Sequence, residues 1–221
     1  MKVDEVSLSG LPLVEEDFRG LIFSVEDKEL KPRFPELRQK RVLEVSPKQK
    51  SFSAALKEKG AKLVARVGGA KEVTGAKEKE THGGGGEMQV MSHWESLPFL
   101  DGSSDVVLLR TSLIKGSLGR LLREASRVLS PKGTVLLSDL HPFSSMVQKE
   151  HLKNAVGEEG LGPGFERYTK WFRDAGLKMD WVKEIFFEGG FKKFLSDEEQ
   201  RQHFDQLRRT PFMIFFSLKK E

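Results

Sequence analysis

Short apolar runs alternate along this chain with stretches whose apolar residues recur at helical spacing. Arg41-Val42-Leu43-Glu44-Val45 is rich in β-branched residues and reads as a first strand. Phe52, Ala55 and Leu56 follow at helical spacing, and Gly60 stands where a helix C-cap belongs. Leu63-Val64-Ala65-Arg66-Val67 is a second strand, so a βαβ unit is expected. Met88–Met91 supplies a third strand and Asp105-Val106-Val107-Leu108-Leu109 a fourth, continuous and apolar as buried parallel strands are.

Leu118, Leu121, Leu122, Ala125, Val128 and Leu129 share one helical face. Pro131-Lys132-Gly133 reads as a turn into a fifth strand, Thr134-Val135-Leu136-Leu137-Ser138. A helix over Tyr168–Ala175 ends at Gly176, and Lys178–Phe187 and Pro211–Leu218 read as two last strands around a charged helix, Ser196–Leu207. Strands alternating with helices in this way give an α/β sheet covered by helices on both faces. Residues 1–40 form an N-terminal extension with short helices, punctuated by Pro32 and Pro35, and residues 41–221 form the domain. Gly68 to Glu87 holds six glycines and reads as an irregular or mobile segment, with a weak helical pattern over Lys71–Glu80.

Four pieces, in order, resemble the class I S-adenosylmethionine-dependent methyltransferases, and most closely the small-molecule branch that includes the ubiquinone and menaquinone biosynthesis enzymes. They are Glu95-Ser96-Leu97-Pro98-Phe99-Leu100-Asp101-Gly102-Ser103-Ser104-Asp105-Val106-Val107, Leu122–Gly133, Ser138-Asp139-Leu140-His141-Pro142 and Trp171-Phe172-Arg173-Asp174-Ala175-Gly176-Leu177. The resemblance runs from Arg41 to about Lys220. It implies a Rossmann-like fold: a seven-stranded, mostly parallel sheet of order 3-2-1-4-5-7-6, closed by Pro211–Leu218 as the reversed strand.

The same resemblance implies S-adenosylmethionine as cofactor and places Glu44, Ser46, Val67, His93, Trp94 and Arg110 around it. Several of these positions depart from the family pattern. The loop after strand one should be glycine-rich, because glycine lets the backbone approach the cofactor. Here it reads Ser46-Pro47-Lys48-Gln49-Lys50, and only Glu44 before it fits. Strand two should end in an acid for the ribose hydroxyls. It ends Ala65-Arg66-Val67-Gly68, and a guanidinium only donates. The acid expected after strand three is replaced by His93, beside Trp94. That pair can accept a hydrogen bond and stack on adenine, but a partly buried loop histidine and an aromatic plug is the preferred reading. Weak or absent cofactor binding is the expectation. Gly160-Leu161-Gly162-Pro163-Gly164 has the letters of a glycine motif but follows strand five, and reads as a loop.

His141, just past strand five, lies where open α/β sheets place ligands and is the candidate general base. A packed histidine beside Pro142 fits the sequence equally. After strand four the chain reads Arg110-Thr111-Ser112-Leu113, without the Asn/Asp-Pro-Pro-aromatic motif of the adenine and glutamine methylators.

Composition narrows the chemistry further. The chain has 221 residues and no cysteine, which removes disulfides, thiolate metal sites and cysteine nucleophiles. The five histidines are not at metal-ligand spacing, so no metal is expected. Neither a secretory signal nor a membrane-length apolar run is found, and a cytoplasmic location is expected. Lys+Arg number 37 and Asp+Glu 33, a net charge of +4, with signs alternating along most segments. Such alternation marks solvated faces, so nucleic acid is not an expected partner. The readings left open are a divergent methyltransferase acting on an unidentified small molecule, a non-catalytic methyltransferase-like binding or interaction module, with a protein partner or a second copy, and an RNA-associated protein.

Overall fold

The computed structural model describes residues 15–46, 51–69, 87–92, 95–110, 117–142, 165–186, 188, 209 and 211–221. Its centre is a seven-stranded sheet of order β3-β2-β1-β4-β5-β7-β6. The strands are β1 (Arg41–Val45), β2 (Leu63–Gly69), β3 (Glu87–Ser92), β4 (Ser104–Arg110), β5 (Leu129–Leu140), β6 (Leu177–Phe186) and β7 (Pro211–Lys220). The first five pair in parallel, and β7 runs antiparallel between β5 and β6. Strand order, the reversed β7 and the α/β class agree with what the resemblance implied.

Alternation along the strands sorts the core into two layers. Val42, Val64, Val106, Leu108 and Leu136 pack on one face with Leu21, Ile22 and Val25 of α1 (Glu15–Glu29) and Leu56 of α2 (Ser53–Glu58). Leu43, Val45, Val67, Val107, Leu109, Val135 and Leu137 pack on the other with α3 (Leu118–Val128) and α4 (Phe165–Asp174). Helix α3 approaches α4 closely, since a Cβ on Gly119 would stand 2.8 Å from the Trp171 ring.

The structure corrects the sequence reading in one place, at the start of β5. The described part of the N-terminal stretch holds a 15-residue helix and a 3-10 turn at Lys31–Arg33. Leu21 and Val25 are fully buried, so the apolar stripe of α1 is held by tertiary packing. Strand β5 begins at Leu129, ahead of the expected turn, because Leu129 pairs with Ser104 before a register break and resumed pairing at Val106 and Thr134. Lys132, at φ 61°, marks the kink inside it. Gly68-Gly69 and Glu87 belong to β2 and β3. The rest of the glycine-rich segment, the pattern over Lys71–Glu80, Gly160–Gly164 and Ser196–Leu207 lie outside the described residues.

Polar side chains join two of the motif pieces. Arg127 of α3 pairs with Glu124 at 2.7 Å and Asp101 at 2.7 Å, and donates to the carbonyls of Leu97 and Phe99 at 2.9 and 2.8 Å. Glu124 accepts the Leu97 N–H at 2.9 Å, and Arg127 holds its carboxyl below the ordinary range. The segment before β4 is thereby fixed to the helix that follows it.

At the start of β1, Arg41 grips Asp105 through Nε, Nη2 and its own backbone N–H at 2.8–3.1 Å. That grip, helped by the Ser130 hydroxyl, depresses the Asp105 carboxyl far below its ordinary value of 3.8. A depressed carboxyl contributes stability above the unfolded value and loses it as pH falls toward the folded one. Below about pH 4 the wild type should therefore lose stability faster than Asp105→Asn, which is itself expected to cost about 1–2 kcal/mol at neutral pH. Urea titrations from neutral to acid pH check this. Parallel pH profiles for the two proteins would contradict it.

Candidate functional site

The carboxyl ends of β1, β2, β4 and β5 carry a row of polar residues on the sheet face covered by α1. Register sets the row: Glu44 lies opposite Arg66 across β1 and β2, and Arg110 opposite Ser138 across β4 and β5. Glu26 of α1 reaches down onto it. Glu26, Glu44, Arg110 and Ser138 are each at most 1% exposed.

Arg110 donates to Glu26 Oε2 through Nε at 2.9 Å and Nη2 at 2.5 Å, and to Glu44 Oε1 through Nη1 at 3.3 Å. The Ser138 hydroxyl donates to the other Glu26 oxygen at 2.6 Å. Glu44 also accepts the Phe52 N–H at 3.1 Å and the Ser51 hydroxyl at 2.6 Å, which ties the start of α2 to β1. The guanidinium lies 4.4 Å from the Phe52 ring centroid and 5.2 Å from that of Phe23, within cation–π range. Arg66 Nε donates to the buried Ser46 hydroxyl at 3.3 Å, and the Ser46 N–H to Val67 O at 3.3 Å. Arg110, Glu26 and Glu44 thus find hydrogen-bond partners inside the protein, as buried ions require.

The structure brings Glu44, Ser46 and Arg110 of the candidate residues together. It places the Val67 side chain in the apolar layer on the opposite face, beside Leu43, Val45 and Ala65. His93 and Trp94 lie outside the described residues, as do Lys48 and Lys50. Sequence reading missed Glu26 and the engagement of Arg66. The signal that could have pointed to Glu26 is its place three and four residues after Phe23 and Ile22, on their side of α1.

His141 follows β5, 0% exposed, with its backbone N–H on Phe212 O at 2.9 Å. Its Nε2 stands 3.0 Å from Glu184 Oε1 on β6. Nearby Asp139 accepts the Tyr168 hydroxyl at 2.9 Å, and burial pushes that phenol well above its ordinary range. Burial lowers the His141 pKa more than Glu184 raises it. The folded protein thus takes up a proton on His141 less readily than the unfolded chain, and stability is lost as pH falls through the unfolded value of 6.5. His141→Gln should flatten the stability profile between about pH 5 and 7, the range in which histidine titrates. An unchanged slope in chemical denaturation across that range would contradict the assignment.

Among the described residues no three acidic or histidine side chains converge to hold a metal ion, and no helix is long and apolar enough to cross a membrane.

Comparison with known proteins places this architecture. A family model described as a methyltransferase domain matches residues 43–137. A glycine/sarcosine/dimethylglycine N-methyltransferase from Actinopolyspora halophila is 37% identical over 94 residues, 38% of this chain and only 15% of that relative's length. Solved S-adenosylmethionine-dependent methyltransferases from Mesorhizobium loti and Listeria monocytogenes superpose with TM-scores of 0.64 and 0.65. Their identities are 16% and 19%; they cover 89% and 91% of this chain and 98% and 99% of their own. The family model runs from β1 into β5, on a sheet with the strand order implied by the four motif pieces. A methyltransferase-domain model thus matches residues 43–137, on a sheet that has the fold of solved S-adenosylmethionine-dependent methyltransferases.

Proposed function

We propose that this chain keeps the methyltransferase fold as a binding or interaction module, with the cofactor end of its sheet given over to an internal ion network. The observation that carries the reading is the Glu26–Arg110–Glu44 cluster, paired with itself and at most 1% exposed. S-adenosylmethionine held in the family's manner does not fit the described residues. Strand β2, from Leu63 to Gly69, offers no carboxylate for the ribose, and Arg66 is directed to Ser46. Both oxygens of Glu44 already accept hydrogen bonds from Phe52, Ser51 and Arg110.

A second reading, a divergent enzyme that methylates a small molecule, is favoured by the family match across residues 43–137 and by His141 kept neutral at the carboxyl end of β5. In that reading Lys48 or Lys50 pairs with the cofactor's carboxylate, Trp94 stacks on its adenine, and His141 is the general base. Calorimetric titration of S-adenosylmethionine into the full chain separates the two. The module reading expects a dissociation constant above about 100 μM, weaker than about −5.5 kcal/mol. Low-micromolar binding would overturn it.

A further inference from the structure

We infer that the amino-terminal edge of the sheet, opposite the ion network, is a docking surface for the phosphate backbone of double-stranded nucleic acid. Two tight turns meet there back to back. One, after Leu37, holds Gln39 at φ 63°, and the other, after α2, holds Gly60 at φ 87°. The Gln39 N–H donates to Gly60 O at 3.1 Å and the Lys62 N–H to Lys40 O at 2.8 Å. A Cβ on Gly60 would lie 3.4 Å from the Arg38 backbone, so the turns are in contact.

This contact joins two segments that are about twenty residues apart in sequence. Arg38 and Lys40 come from the first, Lys59 and Lys62 from the second, and all four are exposed. Among the described residues none of the four is paired with a carboxylate, whereas Arg41 beneath them is fully engaged by Asp105. Exposed acids in the two segments are Glu36, which accepts the Arg38 backbone N–H at 3.0 Å, and Glu58. The surface therefore keeps a positive excess on a rigid frame.

Single strands are usually held by stacking on exposed aromatic rings. Here the nearby Phe34 is buried and lies under Lys59, 5.9 Å from its Nζ. Among the described residues Leu63 is the large apolar side chain exposed beside the turns, 37% accessible, too little to anchor a lipid surface. Cations on this frame, with no exposed aromatic ring beside them among the described residues, suit sequence-independent contact with a duplex backbone.

The test is fluorescence anisotropy with a labelled 20-base-pair DNA duplex. Binding is expected at about 1–100 μM in about 50 mM salt, and four neutralised phosphates give a log–log salt slope near −3.6, or about 150-fold weakening at about 200 mM. Changing Arg38, Lys40, Lys59 and Lys62 together to Gln should weaken binding at least tenfold and flatten that slope. The same charge removed away from that edge, at Lys28, Arg120, Arg123 and Arg209, all exposed, should change it less than threefold. Circular dichroism confirms that both variants are folded. No duplex binding, equal weakening in both variants, or binding to phosphatidylserine vesicles without binding to duplex would each overturn the proposal.

Discussion

Replacing Arg110 by methionine is expected to destabilise the protein by about 3–5 kcal/mol, the range for breaking a buried ion pair by removing one partner. For a chain of this size that corresponds to a fall in Tm of roughly 6–20 °C. The cost comes from what remains. Glu26 keeps the Ser138 hydroxyl on one oxygen and loses both guanidinium donors to the other. Glu44 loses its contact with the guanidinium but keeps Phe52 and Ser51. Glu26→Gln alone should also destabilise, because the guanidinium is then left against a neutral amide. The double variant Glu26→Gln, Arg110→Met should recover about 1–3 kcal/mol relative to the sum of the single changes, since it removes both members of the closest pair. Urea denaturation of the four proteins closes the cycle. A cost below about 1 kcal/mol for Arg110→Met, the size of a solvated surface pair, would mean that the cluster is hydrated and open to ligands.

The second large effect concerns the cofactor. S-adenosylmethionine is expected to bind with a dissociation constant above about 100 μM, or not measurably. A ribose carboxylate supplies charge-assisted hydrogen bonds worth roughly 1.5–3 kcal/mol, about 10- to 150-fold in affinity. Strand β2 has no residue to supply them. The loop after β1 adds no close backbone approach of the usual kind, for it holds no glycine and Pro47 lacks an N–H. Recovery through Val67→Asp is not expected either. Val67 is 0% exposed in the apolar layer beneath α3, so an acid there would cost stability without reaching the crevice. If binding proves tight, Trp94→Ala should weaken it by roughly 1–3 kcal/mol, the value of one aromatic–base stack. That pair of results would favour the enzyme reading and overturn the module reading.

The sequence by itself determined the sheet and its helices. Apolar runs and period-3.6 patterns depend only on which side chains must leave water, and the strands β1, β2, β4 and β7 carry such runs in nearly uninterrupted form. The motif pieces around Leu97–Asp101 and Leu122–Gly133 added the topology, and the Arg127–Glu124 contacts explain why those pieces belong together. Sequence also exposed the weak cofactor positions, because a missing glycine or acid is visible without coordinates.

Only the tertiary structure decided what stands in their place. Glu26 lies 84 residues from Arg110 and 112 from Ser138 in the chain, and no local pattern signals that α1 brings it to them. Arg66 read as a wrong-signed ribose anchor. The pleat turns it, with Glu44, toward the α1 face, where it meets Ser46, whereas Val67 one position on faces the opposite layer. His141 read as a candidate base, and the register of β5, β7 and β6 decides that it is buried beside Glu184. The same holds at the other end of the sheet. Charges that alternate in sequence read as solvated faces, but two turns closing on each other collect Arg38, Lys40, Lys59 and Lys62 on one surface. Burial patterns are local in the chain and charge pairing is not, so the fold was legible in the sequence while the ion network and the basic surface required the packed structure.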